Sequence, residues 1–130
     1  MSGFQQSVRD AVAHRSGLLC EGCGGQGPLQ LHHRQFRSRR GPDTASNALA
    51  LCGLGNIDGC HGAAHAGYRG ESLGWAIRSG AVDHELVPAF RKSDATWWRF
   101  DNDGGKEQIH PADAVEYLKL IGAIREGLMH

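Results

Sequence analysis

All four cysteines of the chain, and four of its eight histidines, fall between Cys20 and His65. Two cysteine pairs, Cys20/Cys23 and Cys52/Cys60, bracket a His32-His33 doublet, and His61 and His65 follow the second pair. Thiolate and imidazole are the softest common metal ligands, so the clustering points to metal rather than to packing. It also limits the fold. A chain of 130 residues with 19 glycines and 7% aromatics has modest material for a core, a shortage that a structural metal offsets. The ligands exceed the needs of one ion. Four cysteines complete a tetrahedral zinc shell and leave imidazoles for a second, open site.

Two disulfides are the competing use of four cysteines. The C-x-x-C spacing of the first pair, and an N-terminus without the basic-then-apolar pattern of a secretory signal, make metal the better reading. No apolar run approaches membrane-spanning length. The expectation is one cytoplasmic domain with an attached tail and no membrane partner.

Formal net charge is zero, which at first argues against a nucleic-acid partner. The charges are unevenly spread, however. Residues 1–70 carry seven arginines and four acids, residues 71–130 seven Lys/Arg and ten acids. Arg34, Arg37, Arg39 and Arg40 form a basic run beside the doublet, a small electrostatic footprint for phosphates. A solvated basic loop is the alternative reading of such a run, but its place beside the doublet favours phosphate contact.

Helical spacing of Phe4, Val8, Ala11 and Val12 predicts a helix over 3–15, ended by Gly17. Cys20 to Gly25 reads as a tight turn suited to a zinc knuckle. Leu29 to His32 and Ala48 to Leu51 read as short strands, joined by a polar loop over 35–46. A helix starting near Cys60 would hold His61 and His65. Further on, the signals predict a short helix over 71–79 capped by Ser72, a strand over Trp97–Phe100 entering a hairpin turn at 101–105, and a helix over 112–126 with Pro111 at its first position. Trp75, Trp97, Trp98 and Phe100 are expected in the core. His14, His84, His110 and His130 receive no role.

His61 and His65, four apart, share one helix face. Alone, such a pair reads as a solvated face, but the doublet alters this. One imidazole of the doublet makes a third ligand, and the other is free to act as general base on water. Successive strand side chains point to opposite faces, so both serve one site only where the strand ends or bends. Three imidazoles accept manganese, nickel or zinc readily and magnesium weakly.

The order of parts, a strand with His-His, a loop, a strand preceded by Asn, and a helix with His, resembles the HNH endonucleases. The strings C-E-G-C, L-H-H-R, N-A-L-A-L-C and C-H-G-A-A-H are similar to the four-cysteine zinc-knuckle subgroup of that family. The Gly-rich expansion C-G-L-G-N-I-D-G-C-H-G is similar to small phage and prophage members. The resemblance covers 18–67 strongly. It implies an α+β chain with a ββα-metal (His-Me finger) core over 18–70, an N-terminal helix over 1–17 and a C-terminal extension over 71–130. It implies His33 as general base, His32, His61 and His65 as ligands of a catalytic divalent metal (Mg2+, Mn2+, Ni2+ or Zn2+), and Cys20, Cys23, Cys52 and Cys60 as the structural zinc shell. Asn47 matches the family's middle Asn, which constrains the loop between the strands and helps orient the base. The seven residues between Cys52 and Cys60 are a longer insertion than many members have and must loop out.

The activity implied is metal-dependent hydrolysis of double-stranded DNA in a bacterial host cell, with Arg34, Arg37, Arg39 and Arg40 on flanking phosphates. Phosphate contacts fix register without encoding sequence, so weak sequence preference is expected. Two other readings stand beside it. One is a non-catalytic zinc-knuckle DNA-binding protein. The other is a phage packaging accessory that acts through protein contacts, for example with a terminase.

Overall fold

The computed structural model describes residues 3–53, 58–78 and 82–125. Helix α1 (Gln6–Ser16) begins after an extended Gln5 and ends where Gly17 turns left-handed at φ 65°. Phe4 precedes this helix yet is buried with Val12. Strands β1 (Leu29–His33) and β2 (Ala48–Cys52) pair antiparallel, with Leu31 opposite Ala50 and His33 opposite Ala48. Two short 3-10 turns, Arg37–Arg39 and Ala45–Asn47, shape the connection between them.

The hairpin has two covered faces, set by strand alternation. Phe4 and Val12, with Val8, pack on Ala48, Ala50, Leu29 and Leu31. Leu49 and Leu51 face the other way, against Cys20, Cys60, Ala64 and Trp75. Helix α2 (Gly59–Ala64) lies on that second side, and His65 caps its C-terminus.

The insertion between Cys52 and Cys60 closes on itself at its ends. A Cβ on Gly59 would stand 2.6 Å from the Cys52 carbonyl oxygen and 2.7 Å from the Gly53 Cα. Glycine there lets the chain leave and return at nearly one point, so Cys60 comes back beside Cys52. Residues 54–57 of that insertion lie outside the described residues.

The second half departs from the sequence expectation in three places. The short helix, α3, spans Tyr68–Ser72 rather than 71–79. Ser72 ends it instead of capping it, and its hydroxyl donates back to the Arg69 carbonyl. Gly74 (φ 71°) then turns the chain so closely over Pro88 that a Cβ would clash with the Pro88 carbonyl oxygen. Residue 79 of the expected helix lies outside the described residues. Strand β3 (Ala89–Arg91) is too short to show a period in the sequence; it pairs with β4 (Thr96–Phe100), which pairs with β5 (Lys106–Ile109). Helix α4 (Pro111–Leu120) starts as expected on Pro111 but stops early, because Gly122 turns left-handed at φ 79°. Ile124 still reaches the core through that turn, beside Leu118 and Trp97.

The fold is thus α+β, a hairpin between helices joined to a three-stranded sheet with its own helix. No described helix is long and apolar enough to cross a membrane.

Candidate metal centres

Cys20, Cys23, Cys52 and Cys60 bring their sulfur atoms within 4.8 Å of one another, a group that could hold a metal such as zinc. All four are free thiols, so the disulfide alternative is not what the fold contains. The Cys23 and Cys52 sulfurs stand 3.7 Å apart. Tetrahedral thiolates at the usual zinc–sulfur bond of about 2.3 Å would stand about 3.8 Å apart. Three backbone N–H groups, from Gly22, Cys23 and Cys52, aim at Cys20 Sγ at 3.3 to 3.4 Å, and the Cys60 N–H aims at Cys52 Sγ. Donation from the Cys60 thiol, with those N–H groups, lowers the Cys20 thiol to about 4 against the opposing effect of burial. The partner Cys60 is pushed up correspondingly. A site that stabilises thiolate in this way suits a cation of zinc's type.

His32, His61 and His65 form the second cluster, their facing nitrogens also within 4.8 Å. β1 supplies His32, α2 supplies His61, and the residue just past α2 supplies His65. His32 Nε2 donates to the Trp75 carbonyl at 2.6 Å, which leaves Nδ1 with a lone pair. His61 Nδ1 donates to Gln30 Oε1 at 2.8 Å, which leaves Nε2. His65 stacks on Phe36 with ring centroids 4.5 Å apart. Burial holds all three below the usual histidine range, His32 down to about 3. They are therefore neutral near pH 7 and crowd together without repulsion. Neutral imidazoles suit a divalent metal, and His32 and His61 also have their outer nitrogens tied to oxygen acceptors.

His33 is absent from that cluster. It follows His32 on the strand and so points to the opposite face, stacked on Phe4 at 4.0 Å with an interplanar angle of 17°. Its Nε2 bonds Asp43 Oδ1 at 2.7 Å. A cavity of about 230 Å³ nevertheless has both kinds of histidine in its wall: His33 borders it along with His32, His61, His65, Phe36 and Arg37. His33 is the last residue of β1, where the cavity wall reaches it.

Asn47 is buried and acts on backbone. It accepts from the Gln35 N–H at 2.8 Å and donates to the carbonyls of Gln35 and Pro42. It thereby closes the 35–42 loop that carries Arg37 past the cavity, a positioning role.

The basic run divides. Arg37 and Arg40 are exposed, and Arg39 is partly covered, lying over the Phe36 ring at 4.6 Å. Arg34 corrects the expectation of a phosphate contact. It lies two residues past His32, on the same inward side, and is fully buried. Its guanidinium donates to the carbonyls of Gly74, Ser46 and Val87 at 3.0, 2.9 and 2.6 Å. Burial, with Arg15 nearby, lowers it to about 9, so it remains charged at neutral pH. No phosphate can reach it.

Sequence reasoning missed Gln30, Asp43 and Phe4, which hold the histidines in place. Asp43 sits in a Gly-Pro-Asp turn and Phe4 in a helical period, so each had a sufficient local explanation. Comparison with protein-family models, curated proteins and solved structures gives no match for this chain.

Proposed function

We propose that the protein is a metal-dependent DNA endonuclease of the HNH type, built on a ββα-metal core with a structural zinc at the four cysteines. The observation that carries this reading is the division of labour among the histidines. Three neutral imidazoles converge, and a fourth, held by a carboxylate, borders the same cavity without joining them. A binding module has no use for that arrangement. A divalent ion held by His32, His61 and His65 would supply Lewis-acid stabilisation of the charge that develops on a phosphate in transit.

The chain's own groups do the rest. Asp43 accepts the Nε2 proton of His33 and so leaves Nδ1 as the basic nitrogen. His33 takes a proton from water as the water oxygen bonds to phosphorus. The bond from phosphorus to the 3′ oxygen breaks, and that oxygen takes up a proton from solvent. The ends formed are 5′-phosphate and 3′-hydroxyl. Phe4 fixes the plane of the His33 ring by stacking, and Asn47 pins the 35–42 loop that follows His33. Arg37, exposed at the rim, is available to a flanking phosphate.

The test is cleavage of supercoiled plasmid by the wild type and by His33→Ala, each with magnesium, manganese, nickel or no added metal. The expected result is metal-dependent nicking or linearisation, lost by about 10²- to 10⁴-fold in the variant with its zinc content unchanged. A wild type that binds DNA but cuts it under none of these conditions would overturn the nuclease reading and favour a DNA-binding role.

A further inference from the structure

The cavity at the histidines does not stop at His61. A second hollow, of about 420 Å³, adjoins it and shares Leu31 and His61 with it. The two hollows meet at Leu31 and His61, and the imidazole cluster lines the first of them. Arg37 stands in the wall of one half and Arg9, from α1, in the wall of the other. Arg9 lies outside the basic run that sequence singles out. It is exposed, and among the described residues no carboxylate pairs with it. Its Nε donates to the Phe4 carbonyl at 3.1 Å, which anchors the side chain through Nε rather than through its terminal nitrogens.

Two guanidinium groups without carboxylate partners among the described residues, one in the hollow that the imidazoles line and one in the hollow beyond His61, fit an extended polyanion better than a single phosphate. We propose that a nucleic-acid strand lies along these two hollows, with Arg9 holding a backbone phosphate on one side of the scissile bond and Arg37 holding one on the other. This deepens the nuclease reading and rests on it. The substrate class is a continuous strand with phosphates on both sides of the cut, so a mononucleotide phosphodiester, which fills neither arm, is a poor substrate.

The experiment is equilibrium binding of a short DNA duplex to the His33→Ala protein, with metal present, over a range of salt concentrations. Each phosphate contact contributes about 0.9 to the slope of log K against log salt on duplex DNA. Arg9→Gln is expected to reduce that slope by about one contact, as is Arg37→Gln, while Lys119→Gln, on α4 and outside both hollows, leaves it unchanged. Arg9→Lys is expected to keep the slope although it loses the anchoring bond to Phe4, which separates a phosphate contact from a structural role. An unchanged slope in Arg9→Gln, in a protein whose wild type cuts plasmid, overturns this inference and leaves the nuclease reading standing. A wild type that neither binds nor cuts DNA overturns both.

Discussion

Gln30 and Asp43 act on the histidines through one hydrogen bond each, and they act differently. Gln30 fixes the tautomer of His61, a proposed ligand, so its loss should be felt in metal affinity. Gln30→Ala is expected to weaken nickel or manganese binding by about 10- to 100-fold, read by titration calorimetry on zinc-loaded protein. Asp43 fixes His33, which holds no metal in this scheme. Asp43→Ala should leave metal and DNA affinity in place and lower kcat by at least about tenfold, within the ~10²–10⁴ that a general base is worth. Equal losses of metal affinity in both variants would show that His33 and the three-histidine cluster are not separate. The distinction was hidden in the sequence because Gln and Asp carry no ligand signature at these spacings. What could be read was ligand chemistry, since the Cys and His spacings have few other uses.

At the scale of elements, the cysteine cluster and the histidine cluster are joined through Trp75. The indole is fully buried against the knuckle and donates its Nε1–H to the Phe90 carbonyl, while the Trp75 backbone carbonyl accepts from His32. Gly22, inside the knuckle, is in contact with that ring: a Cβ there would come within 2.8 Å of two indole carbons and 3.1 Å of Cys60 Sγ. Gly22→Ala must therefore displace Trp75. The expected cost is about 1–3 kcal/mol of stability, seen as a lower urea midpoint, together with weaker metal binding at His32, His61 and His65. Weakened folding with unchanged affinity at the histidines would show that the knuckle and the histidine cluster are mechanically independent. β1, β2 and the knuckle were legible because alternation and glycine placement are local properties. The short helix near 71–79 was not, for a non-local reason. Gly74 passes against Pro88, a contact between segments that no period in either segment announces.

Over the whole molecule, Arg34 is the residue that makes two halves into one. The basic run suggested a solvent-facing charge, because composition gives sign and position but not direction. In the fold its guanidinium collects carbonyls from the loop before β2 (Ser46), the turn after α3 (Gly74) and the segment entering β3 (Val87). Gln35, the next residue, adds a link: its side-chain oxygen accepts from His84 Nε2 at 2.6 Å, while its backbone holds Asn47. The loop beside the histidine cavity is thus braced by Gly74, His84 and Val87, outside the His-Cys motif. Arg34→Met keeps most of the apolar stem and removes every one of those donors. Each buried carbonyl left unpaired costs about 1–3 kcal/mol, so a loss on the order of 3 kcal/mol or more is expected, measured by urea denaturation of the zinc-loaded protein. Arg34→Lys should recover only part of it, because an ammonium cannot reproduce the planar fork that serves separated carbonyls. A phosphate-binding Arg34 would behave in the opposite way, with Met lowering the salt dependence of DNA binding at unchanged stability and Lys restoring it. The two outcomes cannot coexist, and burial on all sides predicts the first.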